Sequence, residues 1–493
     1  MDPAPWCERL SPVDAMFLQL EDASAHMHMG GVFECEGPPP PQAELLAHLA
    51  ARLERVPRYR QRLSTVPLGL GRPAWVDDPA FDLAQHVRRI TLAAPGREAL
   101  EAQAARCFGE RLDRRRPLWG MDFVDGLGGD RFALVSRTHH SLVDGMGGCD
   151  IVTAITDDAA EGPTIPAAPA LARARCPEPA AAARLAAALR EQATRPLELA
   201  RDLLRAAGPA NVGRRMLRDV AVGLGPLAAL ALRGRAPASP LNAPIGPGRR
   251  YAMAAIPLAA VKRVRAGAGG TVNDVLLSVV AGALRAALAR RGAPAPGRPL
   301  RAFVPVNARP ADDAGAVANG CRAGNFVSAL YCDLPVDEPD PVRRVQRISA
   351  EMCRKKSSGE ATGVLVVRHA GELSLPGLAA LAIRLELAYR RFNLVVSNTF
   401  GPQEPRYLLG RRMLSFHPAI PLAPGNSVSI GLLSYAGTIW VGVLGDASAV
   451  PDAALIAQDV EDAFEALLRE VGAAAPAGAA ASRRDAAGAP VPA

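Results

Sequence analysis

Apolar and polar residues alternate along this chain with two periods, about 2 and about 3.6, in an order that predicts strands and helices in succession. Residues 32–36 form a short strand-like run that the prolines at 38–41 interrupt. Residues 44–55 then place Leu45, Leu49 and Leu53 on one helical face. Residues 131–138 set Phe132, Leu134 and Ser136 on one side of a strand that leads straight into His139. From about residue 249 the alternation resumes, with a strand expected at 251–258, a short helix at 259–266 and a strongly apolar helix at 273–291. Asn273 is the expected N-cap of that helix, with Asp274 in its first turn. Further strands are expected at 301–306, 325–333, 394–398, 427–435 and 438–444. Pro451 opens a closing helix through 471, with Leu455, Ile456, Val460, Phe464 and Leu467 as its apolar face. These patterns describe an α/β chain.

Composition changes between the two regions. Residues 157–247 are rich in Ala, Arg and Pro, and 184–235 carry ten arginines against four acids. This reads as a linker containing helices. A basic helix with an apolar face also suits an anionic membrane surface. The expected division is therefore an N-terminal domain at 1–156, a helical linker at 157–247, a C-terminal domain at 248–472 and a disordered Ala/Gly/Pro tail at 473–493. A length of 493 residues agrees with more than one core.

The net charge of +8, from 57 basic and 49 acidic residues, favours an anionic partner without choosing one. No basic patch interleaved with aromatics and no zinc-finger spacing points to nucleic acid. Eight dispersed cysteines without a CxxC pair suit a reducing compartment. The N-terminus lacks the basic and apolar regions of a signal peptide, and the apolar run at 220–232 is shorter than the ~20 residues of a span. A cytoplasmic protein is expected, with membrane contact at most peripheral to the inner face or to lipid droplets.

The segment carrying most chemical information is His139-His140-Ser141-Leu142-Val143-Asp144-Gly145, where a predicted strand meets a glycine-rich turn. Catalytic groups are commonly held at such strand ends. A histidine there can take a hydroxyl proton near neutral pH. Adjacent histidines point different ways, so only one faces a substrate, and Asp144 could fix the loop by pairing with an arginine. The competing readings are ordinary polar loop residues, metal ligation by His140 and Asp144, and Ser141 as nucleophile. The glycine-rich continuation and the missing third ligand weigh against a metal. No G-x-S-x-G elbow supports the serine, and no dinucleotide or Walker A motif is present.

HHSLVDG resembles the H-H-x-x-x-D-G signature of coenzyme A dependent acyltransferases and peptide condensation domains. Over nearly its whole length the chain resembles the bacterial wax ester synthase/diacylglycerol acyltransferase family. The matching stretches are LSPVDAMFL (10–18), HMHMGG (26–31), WVDDPAFDLAQHVR (75–88), LDRRRPLW (112–119), TVNDVLL (271–277), PVN (305–307), GN (324–325) and SNTFGP (397–402), with SY (434–435) and Asp446 fitting the C-terminal pattern. This resemblance implies a two-domain α/β fold like that of chloramphenicol acetyltransferase, with a helical linker and the site between the halves. It implies acyl-CoA as substrate, no resident cofactor or metal, and a long-chain alcohol or diacylglycerol as acceptor. By the family's pattern His140 is the base, His139 and Asp144 hold the loop, and Gly145, Pro117, Leu118, Trp119, Asn273 and Asp274 shape or line the site. Two positions depart from that pattern: Phe400 stands where proline is usual, and Gly120 where an acidic residue is common. A condensation-type transferase using another acceptor or a carrier-bound donor, and an inactive lipid-binding homologue, are the alternatives.

Overall fold

The computed structural model describes residues 8–54, 56–142, 152–161, 176–206, 234–293, 297–307, 327–357 and 389–474. The first half comprises α1 (Pro12–Leu20), β1 (His28–Glu36), α2 (Gln42–Leu53), β2 (Gln61–Ser64), β3 (Ala74–Asp77), β4 (Val87–Thr91), α3 (Arg97–Gly109), β5 (Trp119–Asp125) and β6 (Arg131–His139). Among the described residues of the linker, α4 (Ala181–Ala206) follows. The second half comprises β7 (Arg249–Pro257), α5 (Leu258–Ala268), α6 (Val272–Arg290), β8 (Leu300–Asn307), β9 (Val327–Leu334), α7 (Pro341–Ser357), β10 (Leu394–Phe400), β11 (Tyr407–Leu408), β12 (Arg411–Ala419), β13 (Val428–Tyr435), β14 (Thr438–Asp446) and α8 (Ala453–Ala474). The expected α/β class is observed, and most expected strands lie within two residues of their predicted limits. The tail beyond residue 474 lies outside the described residues.

Two six-stranded sheets organise the chain, in the orders β11-β12-β1-β6-β5-β4 and β7-β14-β13-β10-β8-β9. They do not follow the sequence division at 1–156 and 248–472, because β12 crosses from the second half to pair with β1 in the first sheet. Val32 consequently has Val135 of β6 on one side and His417 of β12 on the other. β5 is buried along all seven residues, with Trp119, Met121 and Phe123 in one apolar core and Val124 in another. Two of the three cores draw residues from both halves: Leu433 and Tyr435 join Phe33 and Phe416, while Tyr251 and Met253 join Leu100 and Val135.

The third core lies between the second sheet and helices α5, α6, α7 and α8. α6 is capped by Thr271, two residues before the expected Asn273: the Thr271 hydroxyl accepts from Asp274 N at 3.2 Å and the Asp274 carboxylate accepts from Thr271 N at 2.8 Å. This reciprocal pair satisfies two amides that a lone N-cap would leave open. α6 also has the length and hydropathy of a membrane span, which the apolar run at 220–232 did not suggest, but 67% of it is buried inside the protein. Its 13 buried residues make it a core helix.

Where β12 reaches the second sheet, the Tyr251 hydroxyl donates to the carbonyls of His417 (2.9 Å) and Pro418 (3.1 Å). Gly442 faces the same carbonyl, and a methyl group at 442 would overlap the Pro418 oxygen. Gly442→Ala is therefore expected to lower unfolding free energy by about 3 kcal/mol, since backbone rather than a pliable side chain must yield. Urea denaturation measures this directly; a midpoint within error of wild type would contradict the close approach.

β7 is the outer strand of its sheet. Two of its outward amides are occupied by side chains from two helices: Glu101 of α3 accepts from Met253 N at 2.8 Å, and Glu461 of α8 accepts from Ala255 N at 2.9 Å. Burial raises the Glu101 carboxyl above its ordinary range, against the lowering effect of its bond to Met253.

Candidate active site

β6 delivers the histidine pair, and each histidine is anchored first through its backbone. His139 N donates to Leu118 O at 2.9 Å, His140 N donates to Met27 O at 3.0 Å, and Leu142 N closes the turn onto His139 O at 2.9 Å. Met27 holds a φ of 42°, a left-handed conformation uncommon outside glycine. The carbonyl that receives His140 thus belongs to a constrained residue.

The two rings have different surroundings. His140 is partly buried and stacks on Phe17 of α1, with centroids 3.9 Å apart and planes inclined by 12°. Burial pushes its pKa down to about 4, opposed by a hydrogen bond to its own backbone. At neutral pH the ring is therefore uncharged and competent to receive a proton.

His139 is fully buried. Its Nδ1 accepts from the Ser141 backbone amide at 3.1 Å and lies 2.7 Å from the Ser141 hydroxyl. A backbone amide only donates, so the neutral ring carries its hydrogen on Nε2, 3.7 Å from Glu21 Oε2. Burial, then Arg114 and His140, hold its pKa well below the usual value. His28, its cross-strand partner, is likewise kept neutral by burial first and by His139 next. In neighbouring His26, Nε2 lies 3.0 Å from Ala23 O.

Pro117, Leu118 and Trp119 are all buried. They form the wall behind His139: Leu118 supplies the carbonyl noted above, and Trp119 donates from Nε1 to Tyr59 O at 2.8 Å while stacking on His86 at 4.6 Å. Gly120 lies beside the Arg137 guanidinium, which Glu110 pairs at 2.9 Å. Arg137 thus has a carboxylate partner without an acid at 120. In the other half, Asn398 Nδ2 donates to Asn273 Oδ1 at 3.1 Å, tying β10 to the start of α6, while Asp274 is committed to the helix cap. The structure therefore brings His139, His140, Leu118 and Trp119 together in the first half and Asn273 with Asn398 in the second. Asp144 and Gly145 lie outside the described residues.

The chain is held again just after the histidine loop. Asp157 pairs with buried Arg52, and Arg406 donates to Thr156 O at 2.7 Å and Thr156 Oγ1 at 3.0 Å. His48 Nε2, 2.7 Å from Ile155 O, adds a third anchor. Sequence reading missed Phe17, Glu21, Arg52 and Arg406. Only the first two left a signal, since positions 17 and 21 are one helical turn apart.

The family model described as the wax ester synthase/diacylglycerol acyltransferase catalytic domain matches residues 10–276, and that of the C-terminal domain matches residues 323–468. The chain belongs to this acyltransferase family. Among its curated relatives, the probable diacylglycerol O-acyltransferase tgs1 of Mycobacterium tuberculosis is 32% identical over 471 residues, covering 93% of this chain and 95% of that protein. The solved wax ester synthase/diacylglycerol acyltransferase of Marinobacter aquaeolei VT8 is 26% identical, with a TM-score of 0.65, 94% of this chain covered and 100% of that one. The first condensation domain of the CDA synthetase shares the fold at 20% identity, with a TM-score of 0.56, 94% of this chain covered and 97% of that one. The expected two-domain acyltransferase fold and family are thus observed.

Proposed function

We propose that this protein esterifies a long-chain alcohol or diacylglycerol with acyl-CoA, using His140 as general base. The observation that carries this reading is the placement of His140, stacked on Phe17 and fixed at a strand end by its amide's bond to Met27 O, where burial lowers its pKa to about 4. As the acceptor oxygen attacks the thioester carbonyl, its proton passes to His140. The tetrahedral intermediate then collapses, the C–S bond breaks, and the proton returns to the departing thiolate. General base catalysis of this kind supplies about 10² to 10⁴-fold, and positioning of both substrates supplies most of the rest. His139 takes a structural role, because both of its nitrogens face protein groups. The reaction as written uses neither metal nor redox group.

Purified protein mixed with palmitoyl-CoA and either hexadecanol or a diacylglycerol is expected to release thiol and form neutral lipid in equal amounts. Turnover of carrier-bound thioesters but not acyl-CoA would favour a condensation-type reaction instead. Acyl-CoA binding without any turnover would favour a lipid-binding protein.

In our reading the acyl-CoA donor points to the cytoplasm, and the water-insoluble acceptor to work at a membrane or lipid-droplet surface. The turn at 67–69 carries Leu68 with 85% of its surface exposed, and its neighbour Leu70 accepts at its carbonyl from Gln192 of α4. On that helix Leu189 is 50% exposed, beside Arg190. Two exposed leucines, one of them next to Arg190, suit an anionic lipid surface. The double variant Leu68→Glu/Leu189→Glu is expected to lower flotation with anionic vesicles at least about fivefold while leaving hydrolysis-free acyl transfer to detergent-dispersed acceptor intact. Undiminished flotation would exclude this face.

A further inference from the structure

Helix α1 touches both histidines from a position more than a hundred residues away in sequence. Phe17 stacks on His140, and Glu21, which caps the same helix through its backbone bond to Phe17 O, faces His139. The Glu21 side chain is only 1% exposed. Arg114 donates to it from Nε at 2.8 Å, and Arg111 does so at 3.4 Å. These arginines are 42% and 48% exposed, so they neutralise the carboxylate while keeping contact with water. Arg114 also donates to Leu18 O at 2.6 Å, fixing the helix end.

We propose that Glu21 is a positioning residue for the transfer reaction: by facing Nε2 of His139 it selects the ring form whose Nδ1 accepts the Ser141 amide, and so sets the turn that presents His140. This rests on His140 as base. With the hydrogen on Nδ1 instead, that atom would oppose the Ser141 N–H, the turn would lose the bond from Ser141 N and keep only that from Leu142 N to His139 O, and Nε2 would turn a lone pair toward a carboxylate. Glu21 faces His139 rather than His140, the proposed base. Its effect passes through geometry, as second partners of catalytic histidines generally act.

Two measurements test this. In wild-type protein labelled with ¹⁵N-histidine, long-range ¹H–¹⁵N spectra, assigned by loss of signal in His139→Asn, are expected to show the Nε2–H form of His139 at pH 7.5. The Nδ1–H form would overturn the proposal without any Glu21 variant. Glu21→Gln retains an acceptor oxygen and is expected to keep that form, with kcat within about threefold of wild type, whereas Glu21→Leu is expected to lose it, with kcat down about 10- to 100-fold and KM for palmitoyl-CoA unchanged. Equal losses in both variants, or none in a folded Glu21→Leu, would also overturn it. Failure of His140 as base would appear separately, as full activity in His140→Ala.

Discussion

Replacing His140 with alanine is expected to reduce kcat/KM for acyl transfer about 10³-fold at pH 7.5, within the range that positioned general bases supply. The ring's contacts predict little accompanying loss of stability. It is only partly buried, and its backbone amide still donates to Met27 O in the variant. Circular dichroism and thermal unfolding should therefore report a folded protein beside an inactive one. Because burial holds the His140 pKa near about 4, the wild-type rate should also show no inflection between pH 8 and pH 6, where an ordinary histidine would titrate. A clear inflection near 6.5, or near wild-type turnover in the alanine variant, would remove His140 from the role of base.

The second large effect concerns acid. His28, His139, His140 and His417 are all held below the ordinary histidine pKa, with burial the leading cause in each, and His140 and His417 are each lowered to about 4. In the unfolded chain these rings bind protons as pH falls through about 6.5, while in the folded protein they stay neutral until much lower pH. The unfolded state then binds more protons. Stability is complete above about 6.5 and declines as pH falls toward the folded values. Each ring with a folded value near 4 contributes about 1.4 kcal/mol per pH unit in that interval, so His140 and His417 together contribute on the order of 2–3 kcal/mol between pH 5.5 and 4.5, and His28 and His139 act in the same direction. Total stabilities are commonly about 5–15 kcal/mol. The urea midpoint is expected to fall steeply from pH 7 to pH 5, and the enzyme to unfold before His140 itself becomes protonated. Equal midpoints at the two pH values would show that these rings are protonated, and partnered, inside the fold.

The parts of the site visible in sequence are those whose cause is local. The alternation at 131–138 running into two histidines located β6 and its reactive end, and Leu45, Leu49 and Leu53 located α2. The start of α6 was misplaced by two residues because Asn273 satisfies the N-cap preference as well as Thr271 does, and only the reciprocal Thr271–Asp274 pair distinguishes them. β5 was not picked out although Trp119, Met121 and Phe123 alternate, because Gly120 and Val124 on its other face are buried as well and blur the polar half of the pattern. β12 and α1 owe their importance to partners hundreds or more than a hundred residues away, and no local pattern encodes such pairing. The chemistry attached to Pro117, Leu118 and Trp119 came from resemblance alone; in the fold they are buried supports of the histidine turn.

The carboxylates of Glu101 and Glu461 on the outer margin of β7 have a bearing on how these molecules behave in a crowd. A bare strand margin is a template on which a second chain can add hydrogen bond by hydrogen bond. Here the Met253 and Ala255 amides are already occupied, and any newcomer would have to displace an anion from each. Two helices thus act as sentries against intermolecular strand addition along β7. Neighbouring copies can accumulate at high density without joining their sheets along this margin.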